Sequence, residues 1–377
     1  MTNRGPILAI DIGGTKLAAG VAEPGGRLIT SAQVPTPAEA DGENIWRALE
    51  SLLEQVLKAG KIDDLGELSG IGCGCGGPME WPSGRVSPLN IPGWRGFPLR
   101  ERLAERFGNG GDVRLGEGEG EGEGGSGSAA EAGGMGGSGA GGLGGSGAGG
   151  LGGTQIPVRV HNDAVCMAAG EHWRGAGRGR RNMLGMVVST GVGGGLILEN
   201  QLIDGRSGNA GHIGHVVVDP DDGPICVCGA RGCLEAIARG PALTDWAQAE
   251  GWRPGQTSVT GKDLSGDAAQ GHSVARAAMR RAGRALGIAI ASATNLCDLE
   301  VVAIGGGLSQ AGAMIFDPLQ EALDAHTGLE FARQVRVVPA ALGQHAGLIG
   351  AAALIAVGQK YWTGDRPLAA TAEPADP

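Results

Sequence analysis

Short apolar runs and longer amphipathic stretches alternate along much of the chain. Residues 7–12 and 17–22 have the continuous apolar character of buried strands, and the turn-forming residues 24–26 separate the second run from a third that begins at Leu28. Strands joined by such tight turns pair antiparallel. Residues 44–58 follow with leucine and valine side chains on one face, as expected for an amphipathic helix.

The second half of the chain continues this alternation. Residues 158–160, 186–189 and 301–304 are short runs typical of buried strands, and residues 164–173 and 274–293 have the apolar spacing of helices. Strands that alternate with helices in both halves predict an α/β fold.

A glycine-rich segment separates the two halves. Residues 116–153 contain 21 glycines among 38 residues. Such a composition buries too little apolar surface to offset the entropy lost on ordering, so we expect a disordered surface loop.

Length and charge narrow the class of protein. At 377 residues the chain is long enough for about two domains. A formal net charge of −10 argues against a surface for nucleic acid or anionic membrane, so we expect a small-molecule ligand. Because the sequence has neither a signal-like start nor an apolar run long enough to span a membrane, we expect a cytoplasmic protein.

Three glycine turns follow predicted strands, at residues 11–16, 189–195 and 305–309. Glycine lets backbone N–H groups approach phosphate oxygens, while Thr15 can donate a hydrogen bond and Asp11 can hold a hydrated Mg²⁺. An ordinary hairpin turn explains residues 11–16 equally well in isolation. Three such turns together exceed what folding requires and favour phosphate binding.

A cysteine cluster offers ligands for a metal. Cys226, Cys228 and Cys233 provide three thiolates, and His215 lies eleven residues before the first of them. Three thiolates and one imidazole satisfy tetrahedral zinc, and four protein ligands leave no open position, so we predict a structural Zn²⁺ rather than a chance cluster. The other cysteines are expected to be small packing residues: Cys73, Cys75, Cys166 and Cys297.

Asp163 stands at the junction of a predicted strand and a predicted helix, in the segment His161-Asn162-Asp163. A carboxylate at this position can accept the proton of an attacking hydroxyl group. It can equally cap the helix, and the local pattern alone favours the cap.

The order of these motifs resembles the ROK family of sugar kinases and sugar-responsive repressors. The segments that carry the resemblance are 11–16, 89–94, 162–164, 190–195, 214–215, 226–233 and 305–307. The resemblance implies an actin-like, ribonuclease H-related fold in which two α/β lobes close over ATP and sugar. It divides the chain into a small lobe, 1–110 with a C-terminal helix at about 345–360, the insertion 111–154, and a large lobe, 155–344, with the zinc loop.

The resemblance also assigns roles to the matching positions, with Asp163 as the general base. Residues expected around the ATP phosphates and their Mg²⁺ are Asp11, Gly13, Gly14, Thr15, Lys16, Thr190 and Gly191. Gly305, Gly306 and Gly307 are expected to border the adenosine. Asn90, Asn162, His212, His215 and Glu235 are expected to face the sugar, with His215 also binding zinc.

One departure from the family pattern leaves the sugar open. The family usually has Glu-x-Gly-His where this chain has His212-Ile213-Gly214-His215, so a carboxylate expected to hold sugar hydroxyls is missing. Conversion of glucose to glucose 6-phosphate is our first expectation; N-acetylmannosamine, fructose or another sugar, or a sugar-binding regulator without turnover, are the alternatives. We also expect a homodimer or homotetramer.

Overall fold

The computed structural model describes residues 5–37, 41–108, 156–255 and 259–362. Most of the described chain forms two α/β lobes, each built on one five-stranded mixed sheet. The predicted disordered loop lies outside the described residues.

The first sheet has the strand order β3-β2-β1-β4-β7. Its strands are β1 (Ile7–Ile12), β2 (Lys16–Ala22), β3 (Leu28–Pro35), β4 (Gly70–Cys75) and β7 (Val158–Asn162), and β5 (Met79–Glu80) and β6 (Arg85–Val86) form a small hairpin beside it. The first three strands pair antiparallel, as predicted, while β4 and β7 join parallel to β1. The helices of this part are α1 (Gly42–Ala59), α2 (Leu99–Phe107) and α3 (Asp163–Arg174).

The second sheet has the order β10-β9-β8-β11-β12. Its strands are β8 (Met183–Val188), β9 (Val192–Leu198), β10 (Gln201–Leu202), β11 (Val301–Gly305) and β12 (Arg336–Pro339). The helices are α4 (Leu234–Ala238), α5 (Gly240–Ala249), α6 (Gly261–Ala269), α7 (Ser273–Cys297), α8 (Ala313–His326), α9 (Ala346–Ala356) and α10 (Gly358–Tyr361). Within the described ranges, none of these helices is both long and apolar enough to cross a bilayer.

Two helices, α3 and α9, each follow the sheet of one lobe in the chain and pack on the sheet of the other lobe. Helix α3 follows the first sheet but packs on β8 and β9, whereas α9 follows the second sheet and packs on β1 and β4. The two helices also pack on each other, and a Cβ at Gly350 would overlap the Cys166 carbonyl oxygen, so glycine permits their close approach. Cys73, Cys75 and Cys166 are fully buried, as predicted, and Cys297 is half-buried.

The structure corrects one boundary of the sequence analysis. Gly70–Cys75 forms strand β4, which is buried along its whole length and lies between β1 and β7. Val158–Asn162 was assigned to the large lobe, yet it pairs with β4 in the first sheet. The boundary at residue 155 is therefore wrong for this strand, because strand pairing over such a separation leaves no local pattern in the sequence.

Candidate active site between the lobes

Two carboxylates lie near the carboxyl ends of parallel strands of the first sheet. Asp11 pairs with Gly74 on β4, and Gly74 pairs with His161, two residues before Asp163. Burial and the neighbouring charge of Asp163 raise the pKa of Asp11 to about 6, while Lys16 acts in the opposite direction. The sheet register thus brings together two acids that are far apart in sequence.

Asp163 is the first residue of α3. The preceding Asn162 caps the helix, because its Oδ1 accepts the Ala164 N–H at 3.0 Å. Asp163 Oδ1 accepts the same N–H at 2.8 Å, and burial raises the pKa of the Asp163 carboxyl in spite of this hydrogen bond. The capping role has its own residue in Asn162, so Asp163 is not required as a cap.

The first glycine turn connects β1 to β2 and lies against Asn90. A Cβ at Gly14 would be 2.6 Å from the Asn90 side-chain nitrogen, so this position needs glycine. The Gly13 N–H donates to the Lys16 carbonyl at 2.9 Å, and the Gly13 carbonyl accepts from the Thr36 hydroxyl at 2.7 Å. Hydrogen bonds made by both backbone groups of Gly13 therefore stabilise the turn.

The second glycine turn connects β8 to β9 in the other lobe. Glu235 Oε2 accepts the Val192 N–H at 2.9 Å, directly after Gly191. Glu235, predicted to face the sugar, therefore also holds this turn. The third turn lies beside it: Gly306 has a φ of 89°, and a Cβ there would overlap the Val188 carbonyl oxygen. The second and third glycine turns, at residues 190–191 and 305–307, therefore lie side by side.

A cavity of about 700 Å³ opens next to these two turns. Thr190 and Gly307 line one part of it. Residues that the sequence analysis missed complete the lining: Thr244, Asp245, Lys262 and Ser265. The only nearby sequence pattern is the Thr260–Asp263 capping box at the start of α6. Such a pattern predicts the start of a helix and gives no indication of a ligand site.

Asn162 and His212 lie together beside Gly77. A Cβ at Gly77 would be 2.9 Å from Asn162 Nδ2 and 3.3 Å from His212 Nε2. Burial, assisted by the nearby His215, lowers the pKa of His212, so its imidazole is neutral near pH 7. The two side chains can therefore donate and accept hydrogen bonds without a charge on His212.

The predicted metal ligands converge. One ligand atom from each of His215, Cys226, Cys228 and Cys233 lies within 4.8 Å of the others. Cys226 Sγ is 3.7 Å from His215 Nδ1, and Cys228 Sγ is 3.7 Å from Cys233 Sγ. Tetrahedral zinc with bonds of about 2.3 Å to sulfur separates its ligand atoms by about 3.7 Å, so the four side chains fit this metal.

Comparisons with known proteins agree with this geometry. The model of the ROK family matches residues 7–114 and 152–357 and leaves out residues 115–151, which are most of the glycine-rich segment. The chain belongs to the ROK family. The actin-like fold expected from the resemblance is confirmed by the two five-stranded lobes and by a solved family member.

Similar family members include two kinds of kinase. A glucokinase of Thermotoga maritima is 30% identical over 363 residues, covering 93% of this chain and 96% of that protein. An N-acetylmannosamine kinase of Yersinia pseudotuberculosis is 30% identical over 345 residues, with coverage of 92% and 96%. The crystal structure of a ROK family glucokinase from Streptomyces griseus, in complex with glucose and AMPPNP, is 30% identical, with a TM-score of 0.70 and coverage of 93% and 99%.

Proposed function

We propose that the chain is an ATP-dependent hexose kinase with Asp163 as its general base. The observation that carries the proposal is the position of Asp163, at the start of α3 on the first sheet, with α3 itself packed on the second sheet. A group there can face a ligand held between the lobes. The glucose and AMPPNP bound to the Streptomyces griseus protein support this assignment.

In the proposed mechanism, the Asp163 carboxylate accepts the proton of the sugar hydroxyl. As a sugar hydroxyl oxygen attacks the γ-phosphorus of ATP, the Asp163 carboxylate accepts the hydroxyl proton, and ADP leaves. The raised pKa of Asp163 makes this carboxylate a stronger base than an exposed one. Asn162 and His212 orient the sugar by hydrogen bonds.

The phosphate chain is assigned to the two glycine turns. Backbone N–H groups around Gly14 and Gly191, with the hydroxyls of Thr15 and Thr190, would donate to phosphate oxygens. Asp11 would hold Mg²⁺, whose chemistry when bound is to neutralise charge on the phosphates. The adenosine would occupy the cavity beside Gly307 and Lys262.

Zinc is proposed as a structural ion. Nδ1 of His215 would ligate it, which leaves the other ring nitrogen for the sugar. Since Cys233 immediately precedes α4, the same loop also fixes Glu235. A metal held by four protein side chains would thereby preorganise the sugar side of the cleft.

Glucose is the first candidate substrate, because several relatives and a solved structure at about 30% identity are glucokinases. N-acetylmannosamine is the second. It is favoured by kinase relatives at the same identity.

The test is ADP release measured with glucose, mannose, fructose, N-acetylglucosamine and N-acetylmannosamine. The proposal expects sugar-dependent release well above the rate with ATP alone, and the sugar with the highest kcat/KM identifies the substrate. A chain that binds one of these sugars but releases no additional ADP is a regulator and contradicts the proposal.

A further inference from the structure

A hydrogen-bonded triad joins the lobes next to Asp163; it consists of the buried His161 and Asp204 and the half-buried Trp362. The side chains of His161 and Asp204 are only 1% and 2% exposed, and His161 Nε2 lies 2.9 Å from Asp204 Oδ1. The other oxygen, Asp204 Oδ2, accepts the Trp362 Nε1–H at 2.6 Å. Both oxygens of this carboxylate are therefore engaged.

The hydrogen bonds determine the tautomer of His161. The backbone N–H of Asn162 donates to His161 Nδ1 at 2.8 Å, so Nδ1 is unprotonated and Nε2–H donates to Asp204. Asn162 caps α3, and Asp163 begins it. The imidazole thus ties the backbone of the proposed catalytic segment to a carboxylate that follows β10 of the second sheet.

The neighbours of Asp204 suit the two acceptor oxygens of its side chain. Arg159 stacks on Trp362, with its guanidinium 4.8 Å from the ring centroid, and burial lowers the pKa of Arg159 while Asp204 raises it. Two N–H donors therefore satisfy the buried oxygens of Asp204, and the Arg159 guanidinium lies nearby. An asparagine would have to turn its NH₂ group toward one of the two donors and lose that hydrogen bond.

The chain after Asp204 makes further contacts with the first lobe. Asn209 hydrogen-bonds to both backbone groups of Met79, at 3.3 Å and 3.0 Å, and the Trp81 N–H donates to the Ser207 carbonyl at 3.3 Å. Residues 204–209 then lead directly to His212. Residues 204–209 of the second lobe therefore hydrogen-bond to the first lobe and lie just before His212 in the sequence.

We propose that Asp204 is a positioning residue for this site. By holding His161, it fixes the Asn162–Asp163 segment with respect to the second glycine turn. The inference rests on the proposed kinase function. A misplacement of about 1 Å at a reacting group can lower a rate by about 100-fold, so a residue outside the cleft can have a large effect on turnover.

The test compares Asp204→Asn, His161→Gln and the double variant with the parent. We expect kcat to fall about 10- to 100-fold in Asp204→Asn. Since both residues act through one hydrogen bond, the double variant should be little slower than the slower single variant. The matched control is His172→Gln: His172 is also buried and hydrogen-bonded, to Tyr361 and to the Arg180 carbonyl, but lies in the last turn of α3. It should lower Tm and leave kcat unchanged.

Trp362→Phe gives a milder variant if Asp204→Asn does not fold, since it removes one donor and keeps a ring. Parental kcat in every folded triad variant, with Tm lowered as in His172→Gln, would overturn the proposal. If the parent itself turns over no sugar, the kinase function fails, and hydrogen exchange of the Asn162 amide decides the positioning role. That exchange must accelerate in the triad variants and not in His172→Gln; equal exchange overturns the inference.

Discussion

The two sheets have the same arrangement of parallel and antiparallel strands, but different residue types follow the end of their central strands. In each sheet the central strand, β1 or β8, pairs antiparallel with the next strand and parallel with a later one, β4 or β11. The fifth strand, β7 or β12, extends the parallel side. Asp11 lies near the end of β1, whereas β8 leads into the uncharged hydroxyls of Ser189 and Thr190.

This difference suggests a division of labour. We propose that both lobes offer glycine N–H groups and hydroxyls to phosphate oxygens, through the turns at Gly14 and at Gly191. Only the first lobe adds the acids, Asp11 and Asp163, which can hold a cation and accept a proton but would repel phosphate alone. The predictions below test whether the two lobes have these different roles.

The largest effect is expected for Asp163→Asn. The amide keeps the shape of the carboxylate but cannot act as a base, so kcat should fall about 10²- to 10⁴-fold while the sugar Kd stays close to that of the parent. Kinetics and calorimetry measure the two quantities, and the exposed Asp324→Asn is the control. A variant that turns over at the parental rate would leave Asp163 only a structural role.

Removal of the metal should act on the second lobe. We expect one zinc per chain, held by His215 and the three cysteines and not by His212. Cys233→Ala should lower the unfolding free energy by about 3 kcal/mol and raise the sugar KM, because the loop before α4 loses its ligand. Elemental analysis and denaturation measure this, with Cys297→Ala as the control. Metal-free native protein, or stability unchanged after chelation, would contradict the site.

The pH dependence of the unfolding free energy should reveal the raised pKa of Asp11. The folded pKa of Asp11, about 6, exceeds its ordinary value of 3.8, so the folded state holds the proton more tightly and stability falls as pH rises between these values. In metal-free protein, Asp11→Asn should therefore gain stability relative to the parent from pH 4 to 7. Partial exposure limits the gain to about 2 kcal/mol. A difference independent of pH in urea unfolding would refute the shift.

The smallest effect is expected outside both sheets. Replacing residues 116–153 by a few residues should leave kcat and KM unchanged and change stability by no more than about 1–2 kcal/mol, because closure entropy varies only logarithmically with loop length. The same assays measure this. A large loss of activity would mean that the segment takes part in the site.

Local patterns in the sequence were sufficient for several elements. The antiparallel strands β1 to β3, helix α1 and the two glycine turns in separate sheets were predicted because turns and periodicity are local signals. The four metal ligands were predictable from spacing, and they do converge. The assignment of catalytic and sugar-binding roles stays a prediction.

Other features depend on contacts that are remote in sequence. Strand β4 has the sequence Gly-Ile-Gly-Cys-Gly-Cys, which resembles a loop; yet a Cβ at Gly72 would overlap the Ala351 carbonyl oxygen, so its small residues serve helix packing. Glu171 was not among the candidates, although its buried carboxylate accepts backbone N–H groups of Ala176, Ala341 and Leu342. The pairing of His161 with Asp204 likewise had no local signal.

The most direct test of the account follows the phosphoryl group itself. ATP labelled at the γ-phosphate is supplied with the preferred sugar, and the label is traced by mass spectrometry. The account predicts that the label appears in a sugar phosphate, one for each ADP formed, and that Asp163→Asn loses this product while still binding sugar. Label found only in inorganic phosphate, or sugar bound without any transfer, would contradict it.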